Sequence, residues 1–293
     1  MTFLVGTIGS IQLLVTVRAR TTRDMSVQKQ ELQIFSDHSV LSRHLFTDSS
    51  SNLVLVTDTV ATNASWFVNA LVETVTLGAP VSLNGNNSGA NSGLSSSDPV
   101  KVVVGSFLNH QSYFTTAFDK LKVPRNRYSV LQIAEDLVVK NVGKPVDVVI
   151  EWVLKQFKES LSNSPSVVIL EKPEILMALF KLNSDELHLK LINPLLKVCS
   201  LLIVVNSVES FDNDFPEHLG KDTVEFVRFT TSCFHKSFLV LSVRPLDTGK
   251  AKDVTGTLAI TRGGALLDIP ALHVVENQYL FHNFKENTTL FYR

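Results

Sequence analysis

The sequence predicts an α/β fold built on a mainly parallel sheet, and two observations carry the prediction. Short runs that are continuously apolar and rich in β-branched residues recur along the chain, as strands covered on both faces do. Between them lie longer segments whose apolar residues repeat at helical spacing. Beyond residue 243 the pattern changes to short runs bounded by turn residues, which adds strands, read as antiparallel, to one edge of the sheet.

The first apolar run, TFLVGTIGSIQLLVTV, has 16 residues. A membrane span needs roughly 20, and Arg18, Arg20 and Arg23 follow the run where a signal peptide would place its charges before it. Residues 1–25 therefore read as a disordered tail, or residues 1–24 as sequence upstream of a start at Met25. Residues 26–293 read as one domain. Its expected buried strands are NLVLVT (52–57), VKVVVGSF (100–107), SVVIL (166–170), LLIVVN (201–206) and SFLVLSV (237–243). Phe67, Leu71 and Val75 share one helical face, and so do Phe114, Phe118 and Leu121. Ile150, Val153, Leu154, Phe157 and Leu161 form a third stripe. Ser184 is placed to cap a further helix, with Asp185 and Glu186 in its first turn, and Pro194 should end or kink it. GTLAITRGG and LHVVENQYLFHN supply the late strands, with Gly263 and Gly264 serving a turn. The run NGNNSGANSGLSSSDP (84–99) has almost nothing to bury and reads as a flexible insertion.

A chain of 293 residues buries roughly 75% of its unfolded surface and needs no disulfide or metal staple. The formal charge of −1 excludes a protein that coats nucleic acid by bulk charge, though not a local basic patch. Cys199 and Cys233 have no C-x-x-C partner and read as reduced thiols. The eight histidines have no metal-ligand spacing, so no metal and no cofactor are expected, and no nucleophile elbow occurs.

The stretch TDTVATNASWF (57–67) lies between an apolar strand and a helix, where a nucleotide-binding chain carries its phosphate loop. That loop needs glycines so that amides can approach phosphate, a lysine for charge, and a hydroxyl for magnesium. On this template Asp58 takes the first glycine, Asn63 the second, Ala64 the lysine and Ser65 the hydroxyl. Only Ser65 keeps its chemistry, although Asn63 could adopt a left-handed conformation. Each lost charge-assisted bond costs about 1.5–3 kcal/mol. Glu171, after VVIL, stands where such proteins place the acid of the second half-site; many strands also end in a charge for no catalytic reason. The layout is that of a degenerate phosphate loop.

SVQKQELQIFSDHSVL, NALVET, AKDVTGTLAITRGG, LHVVENQYL and LFYR, in this order and spacing, resemble the family of sixth subunits of the Elongator complex from yeasts, over about Ser26 to Arg293. The resemblance implies a RecA-like (P-loop NTPase-like) fold that has lost catalysis. It implies assembly with two paralogous RecA-like subunits, the fourth and fifth, into a heterohexameric ring within the larger complex. It also implies tRNA binding in support of wobble uridine modification, a cytoplasmic and also nuclear location, and no membrane. A divergent ATPase using Ser65 and Glu171 with a neighbour's cation is the competing expectation, and an adaptor without RNA contact is a third.

Two basic stretches are candidate tRNA or ring contacts. KLKVPRNR carries Lys120, Lys122, Arg125 and Arg127, which read equally as a solvated helix end. TGKAKDV and TRGG place Lys250, Lys252 and Arg262 in two neighbouring connections, where they contact a paralogue or tRNA, or merely face water. Glu276 and Tyr279 lie in a strongly matching stretch without assignable chemistry.

Overall fold

Along each central strand, alternate residues enter two different cores, which is why these strands read as unbroken apolar runs. In strand β1 (Asn52–Asp58), Val54 and Val56 face one core, and Leu53 and Leu55 face the other. The structure, a computed structural model, describes residues 29–47, 52–84, 100–141, 143–161, 165–209, 220–249, 251–285 and 287–292. The expected tail, all of the Asn/Gly/Ser run except Asn84, and Lys250 lie outside these residues.

The described strands form a sheet of nine, in the order β3-β2-β4-β5-β1-β6-β7-β8-β9. β2 is Lys101–Ser106, β3 Tyr128–Leu131, β4 Ser166–Glu171, β5 Leu201–Ser207 and β6 Leu239–Arg244. With β1, these six pair in parallel. β7 (Gly256–Arg262), β8 (Asn277–Asn283) and β9 (Thr288–Tyr292) extend the β6 side as an antiparallel meander. A short helix α1 (His44–Thr47) precedes β1. Helices α2 (Ser65–Leu77) and α3 (Gln111–Lys120) cover one face with the segment around Ile34 and Phe35. The other face packs against α4 (Ile133–Asn141), α5 (Val146–Ser160), α6 (Ile175–Phe180), the helical run α7–α8 (Ser184–Leu187 and Asn193–Leu196) and α9 (Lys221–Lys236).

The expected strands and helical stripes are present. On α5, Ile150, Val153 and Phe157 are buried and Leu154 is partly so; Leu161, the last of the stripe, lies just past the helix in extended backbone and is partly buried. Gly105 in β2 makes room for this stripe, because a Cβ there would lie 2.3 Å from the Phe157 ring.

Several details differ from the sequence reading. Asn183, not Ser184, caps α7. Its side chain accepts the Glu186 N–H at 2.8 Å, while Glu186 Oε2 accepts the Asn183 N–H at 3.0 Å, a reciprocal capping box. Ser184 is already inside the helix and buried. Pro194 does not end the helix. It follows a π-turn over His188–Ile192, where the Asn193 N–H reaches back five residues to the His188 carbonyl. The wider turn accommodates the proline's missing donor and bulky ring. Asn84 is not the start of a free loop: it is buried, its N–H donates to the Thr288 carbonyl at 2.7 Å, and its Oδ1 accepts the Leu290 N–H at 2.8 Å. Gly263 and Gly264 are required by close approach to the end of α9, since a Cβ would lie 2.0 Å from the Ser237 carbonyl oxygen and 2.7 Å from His235 Cα respectively. Their N–H groups cap that region, donating to the carbonyls of Phe238 and Phe234.

Candidate functional site at the first strand-to-helix junction

The C-terminal ends of the parallel strands β1, β5 and β4 gather the ionisable groups of the sequence motif. β1 ends in Asp58, only 3% exposed, and α2 begins seven residues later. The loop between them spends its amides on the chain itself. Thr59 and Thr62 exchange backbone hydrogen bonds at 3.3 and 3.1 Å. The Val60 N–H donates to Glu209 Oε1 at 2.6 Å, the Ala64 N–H to Asp58 Oδ2 at 2.9 Å, and the Ser65 N–H to Asn63 Oδ1 at 3.3 Å. In a phosphate-binding loop these are the groups that point at the ligand. Asn63 does not take the left-handed conformation open to it: among the described non-glycine residues, positive φ occurs at His38, Asn84, Lys122, Lys172 and Lys181.

The sequence reading placed Asp58 at the first glycine position of the template and gave it no partner. The structure supplies one: Lys172 Nζ pairs with Asp58 Oδ1, with both side chains largely buried. Lys172 immediately follows the strand-end acid Glu171. Its backbone is left-handed (φ 55°) and its N–H donates to the Val205 carbonyl at 2.8 Å. This turns the chain sharply at the end of β4 and returns the ammonium to β1. A lysine directly after a strand-end acid was the available sequence signal, and sequence reasoning missed it.

Glu171 is 5% exposed and held by neutral donors. The Ser106 hydroxyl donates to Oε2, and Asn109 Nδ2 lies 3.0 Å from both carboxylate oxygens. The β2–β4 register makes Ser106 the direct neighbour of Glu171. Burial pushes the Glu171 carboxyl above the usual range, against the Ser106 and Asn109 hydrogen bonds and the Lys172 charge. Glu174 is more extreme: burial raises it to about 7, although the Lys172 charge opposes. One of its oxygens accepts the Ser207 N–H at 2.8 Å, and the other is buried without a partner. Ser65 is half-buried at the first position of α2. One strand separates β1 from β4, so Asp58 and Glu171 end strands about 10 Å apart.

The basic candidates lie elsewhere. Lys120 and Lys122 are exposed at the end of α3, and Arg125 pairs with Asp119 at 2.8 Å. With Arg127 they precede β3, so they sit at the edge where the parallel strands begin, opposite the Asp58 junction. Lys252 and Arg262 are not brought together. Lys252 precedes β7 on the junction side, while Arg262 ends β7 opposite Leu239, about 20 Å away along the strand. The Arg262 N–H donates to Glu276 Oε1 at 3.1 Å, and the Tyr279 hydroxyl accepts the Gln33 N–H at 3.4 Å, which gives both residues of that matching stretch packing partners. Among the described residues, no group of three or more His, Cys, Asp or Glu is placed to hold a metal.

A junction strand in mid-sheet, one strand between it and the strand that ends in Glu171, and an antiparallel extension on the far side are the layout of a RecA-like fold. No family model matches the chain. Elongator complex protein 6 of Saccharomyces cerevisiae is 44% identical over 276 residues, covering 92% of this chain and 99% of that protein. The chain belongs to the Elongator complex protein 6 family. Among solved structures, a DnaB-like replicative helicase studied with primase matches at TM-score 0.47 and 10% identity, over 81% of this chain and 58% of that one. The flagellar accessory protein FlaH from Methanocaldococcus jannaschii matches at TM-score 0.41 and 12% identity, over 82% of this chain and 89% of that one.

Proposed function

We propose that this chain is a non-catalytic subunit of the Elongator ring. It assembles with two paralogous RecA-like subunits into a heterohexamer that binds tRNA and supports wobble uridine modification, in the cytoplasm and also the nucleus. The observation that carries this reading is the 44% identity to the yeast protein across nearly the whole of both chains. The loop at Asp58 supports its non-catalytic part. Amides that would cradle a phosphate are bound to side chains and carbonyls of the same chain, and no lysine stands at Ala64. Residues 26–293 act in this reading as one RecA-like domain, with 84–99 as an insertion.

Co-expression with the fourth and fifth subunits tests it. Native mass determination should give a particle with two copies of each chain, heavier by the mass of bound tRNA when tRNA is added. A monomer in the presence of both paralogues would sink the proposal. The basic residues are tested by charge reversal. Lys120→Glu with Lys122→Glu, and Lys252→Glu alone, should weaken tRNA binding by the assembled ring and lower its salt dependence. Unchanged affinity at low salt favours an adaptor without RNA contact.

One observation favours a second reading, a divergent ATPase: Glu171 ends β4 with a raised carboxyl, and Ser65 keeps a hydroxyl at the start of α2. It requires that Glu171→Gln in this chain sharply lower hydrolysis by the assembled ring.

A further inference from the structure

We propose that Asp58 is a resident anion. Its carboxylate holds, from within the chain, the position between the Ala64 amide and the Lys172 ammonium that two phosphate oxygens would otherwise take. The junction is therefore a self-occupied phosphate subsite. This deepens the reading of the junction as a degenerate phosphate loop and rests on it.

The geometry is specific. Asp58 uses one oxygen for each partner: Oδ2 accepts the Ala64 N–H at 2.9 Å, and Oδ1 takes the Lys172 ammonium. A carboxylate and one edge of a phosphate present oxygen pairs of similar spacing to such donors. The donors are those a phosphate site needs, an amide beside the first turn of a thirteen-residue helix and a buried lysine. The lysine comes from the end of β4 instead of from the loop, so the sequence template misses it.

Asp58 is not alone in this role. Glu209 Oε1 takes the Val60 amide, and Asn63 Oδ1 takes the Ser65 amide. Three side chains of the protein thus take up loop amides that a phosphate would otherwise engage. A buried ion pair at this point is also hard to explain by stability alone, because an apolar pair of similar volume is often as stable. Succession to a lost ligand explains it: once phosphate no longer bound, the cationic end of the site needed a permanent counter-ion. The consequence for the wild-type chain is exclusion. A nucleotide offered by a neighbouring subunit meets a filled site whose lysine is already paired.

The test is anion rescue. The full chain is prepared as wild type, Asp58→Ala and Asp58→Ala/Lys172→Met, and unfolded thermally in inorganic pyrophosphate or in chloride of equal ionic strength. Removing Asp58 leaves Lys172 and the Ala64 amide without their anion. Pyrophosphate at ten times its dissociation constant should then raise the Tm of Asp58→Ala by about 2–5 °C. Wild type and the double variant should not respond beyond chloride. If Asp58→Ala is unfolded in chloride, recovery of its circular dichroism in pyrophosphate is the same response. Asp58→Asn, which keeps the shape and removes the charge, should respond in the same direction but less. Absence of any pyrophosphate response in both Asp58 variants overturns the proposal and leaves the non-catalytic reading untouched. An equal response of the double variant also overturns it, because the anion then binds without Lys172. Magnesium-dependent ATP binding by the wild type overturns both.

Discussion

Two buried carboxylates end two strands of the same parallel sheet, and their surroundings differ in kind. Asp58, at the end of β1, receives a full cation from Lys172 and an amide from Ala64. Glu171, at the end of β4, receives a hydroxyl and a side-chain amide, both neutral. Burial alone pushes a carboxyl toward its protonated form; a buried cation keeps it ionised. The first end is therefore an ion pair closed within the chain. The second is an acid whose proton is held more tightly than usual, with Glu174 nearby held more tightly still. A single lysine, placed between Glu171 and Glu174 in sequence, went to the carboxylate on the other strand.

The sharpest way to break this contrast is to remove the lysine. Lys172→Met leaves Asp58 as a buried charge without a counter-ion, and should lower stability by about 3–5 kcal/mol in urea unfolding at pH 7. A loss under about 1 kcal/mol would mean that the pair is already solvated.

Next in size is a pH effect from Glu174. Its ordinary value is 4.5 and its folded value about 7, so the folded chain keeps a proton that the unfolded chain releases. The associated stability is complete below about pH 4.5 and is lost as pH rises through about 7, in all about 3 kcal/mol. Glu174→Gln should remove this slope, and the difference between the two pH–stability curves isolates the residue. Parallel curves from pH 4.5 to 7 would refute the assignment.

Ser106→Ala takes one hydrogen bond from Glu171. It should cost about 1–2 kcal/mol and raise the Glu171 carboxyl further, readable as a shifted carboxyl titration in NMR. The smallest effect expected is that of Glu171→Gln, below about 1 kcal/mol at pH 7, because no cation is stranded by the change. A loss as large as that of Lys172→Met would show that Glu171 carries a structural charge, and the contrast between the two strand ends would collapse.

Much of the scaffold around these residues was legible in the sequence. The five central strands are long, β-branched and apolar on both sides, and the helices after β1 and β2 carry clear stripes. Legibility failed where the local signal was short or weak. β3 has only four residues, and β9 follows a charged turn; each becomes a strand by pairing, with β2 and with β8. α9 buries only Phe229, Thr230 and Cys233 of its sixteen residues, too narrow a stripe to stand out in a polar segment. The cap at Asn183 was misplaced by one residue because Asn and Ser are both good caps, and the reciprocal bond to Glu186 selects between them. At the site, the missing glycine and lysine were plain in the sequence, and the amides' new partners were not.

By itself the sequence determined the alternation of strands and helices, the edge of antiparallel strands, and the absence of phosphate-gripping residues between Asp58 and Ser65. These depend on the period of burial and on residue chemistry within a few positions, which the linear order contains. Only the tertiary structure decided that Lys172, 114 residues away, closes on Asp58. That contact requires β5 between β1 and β4, a left-handed turn at the end of β4, and a register that levels the strand ends. Those conditions are set by long-range pairing, which no local pattern encodes.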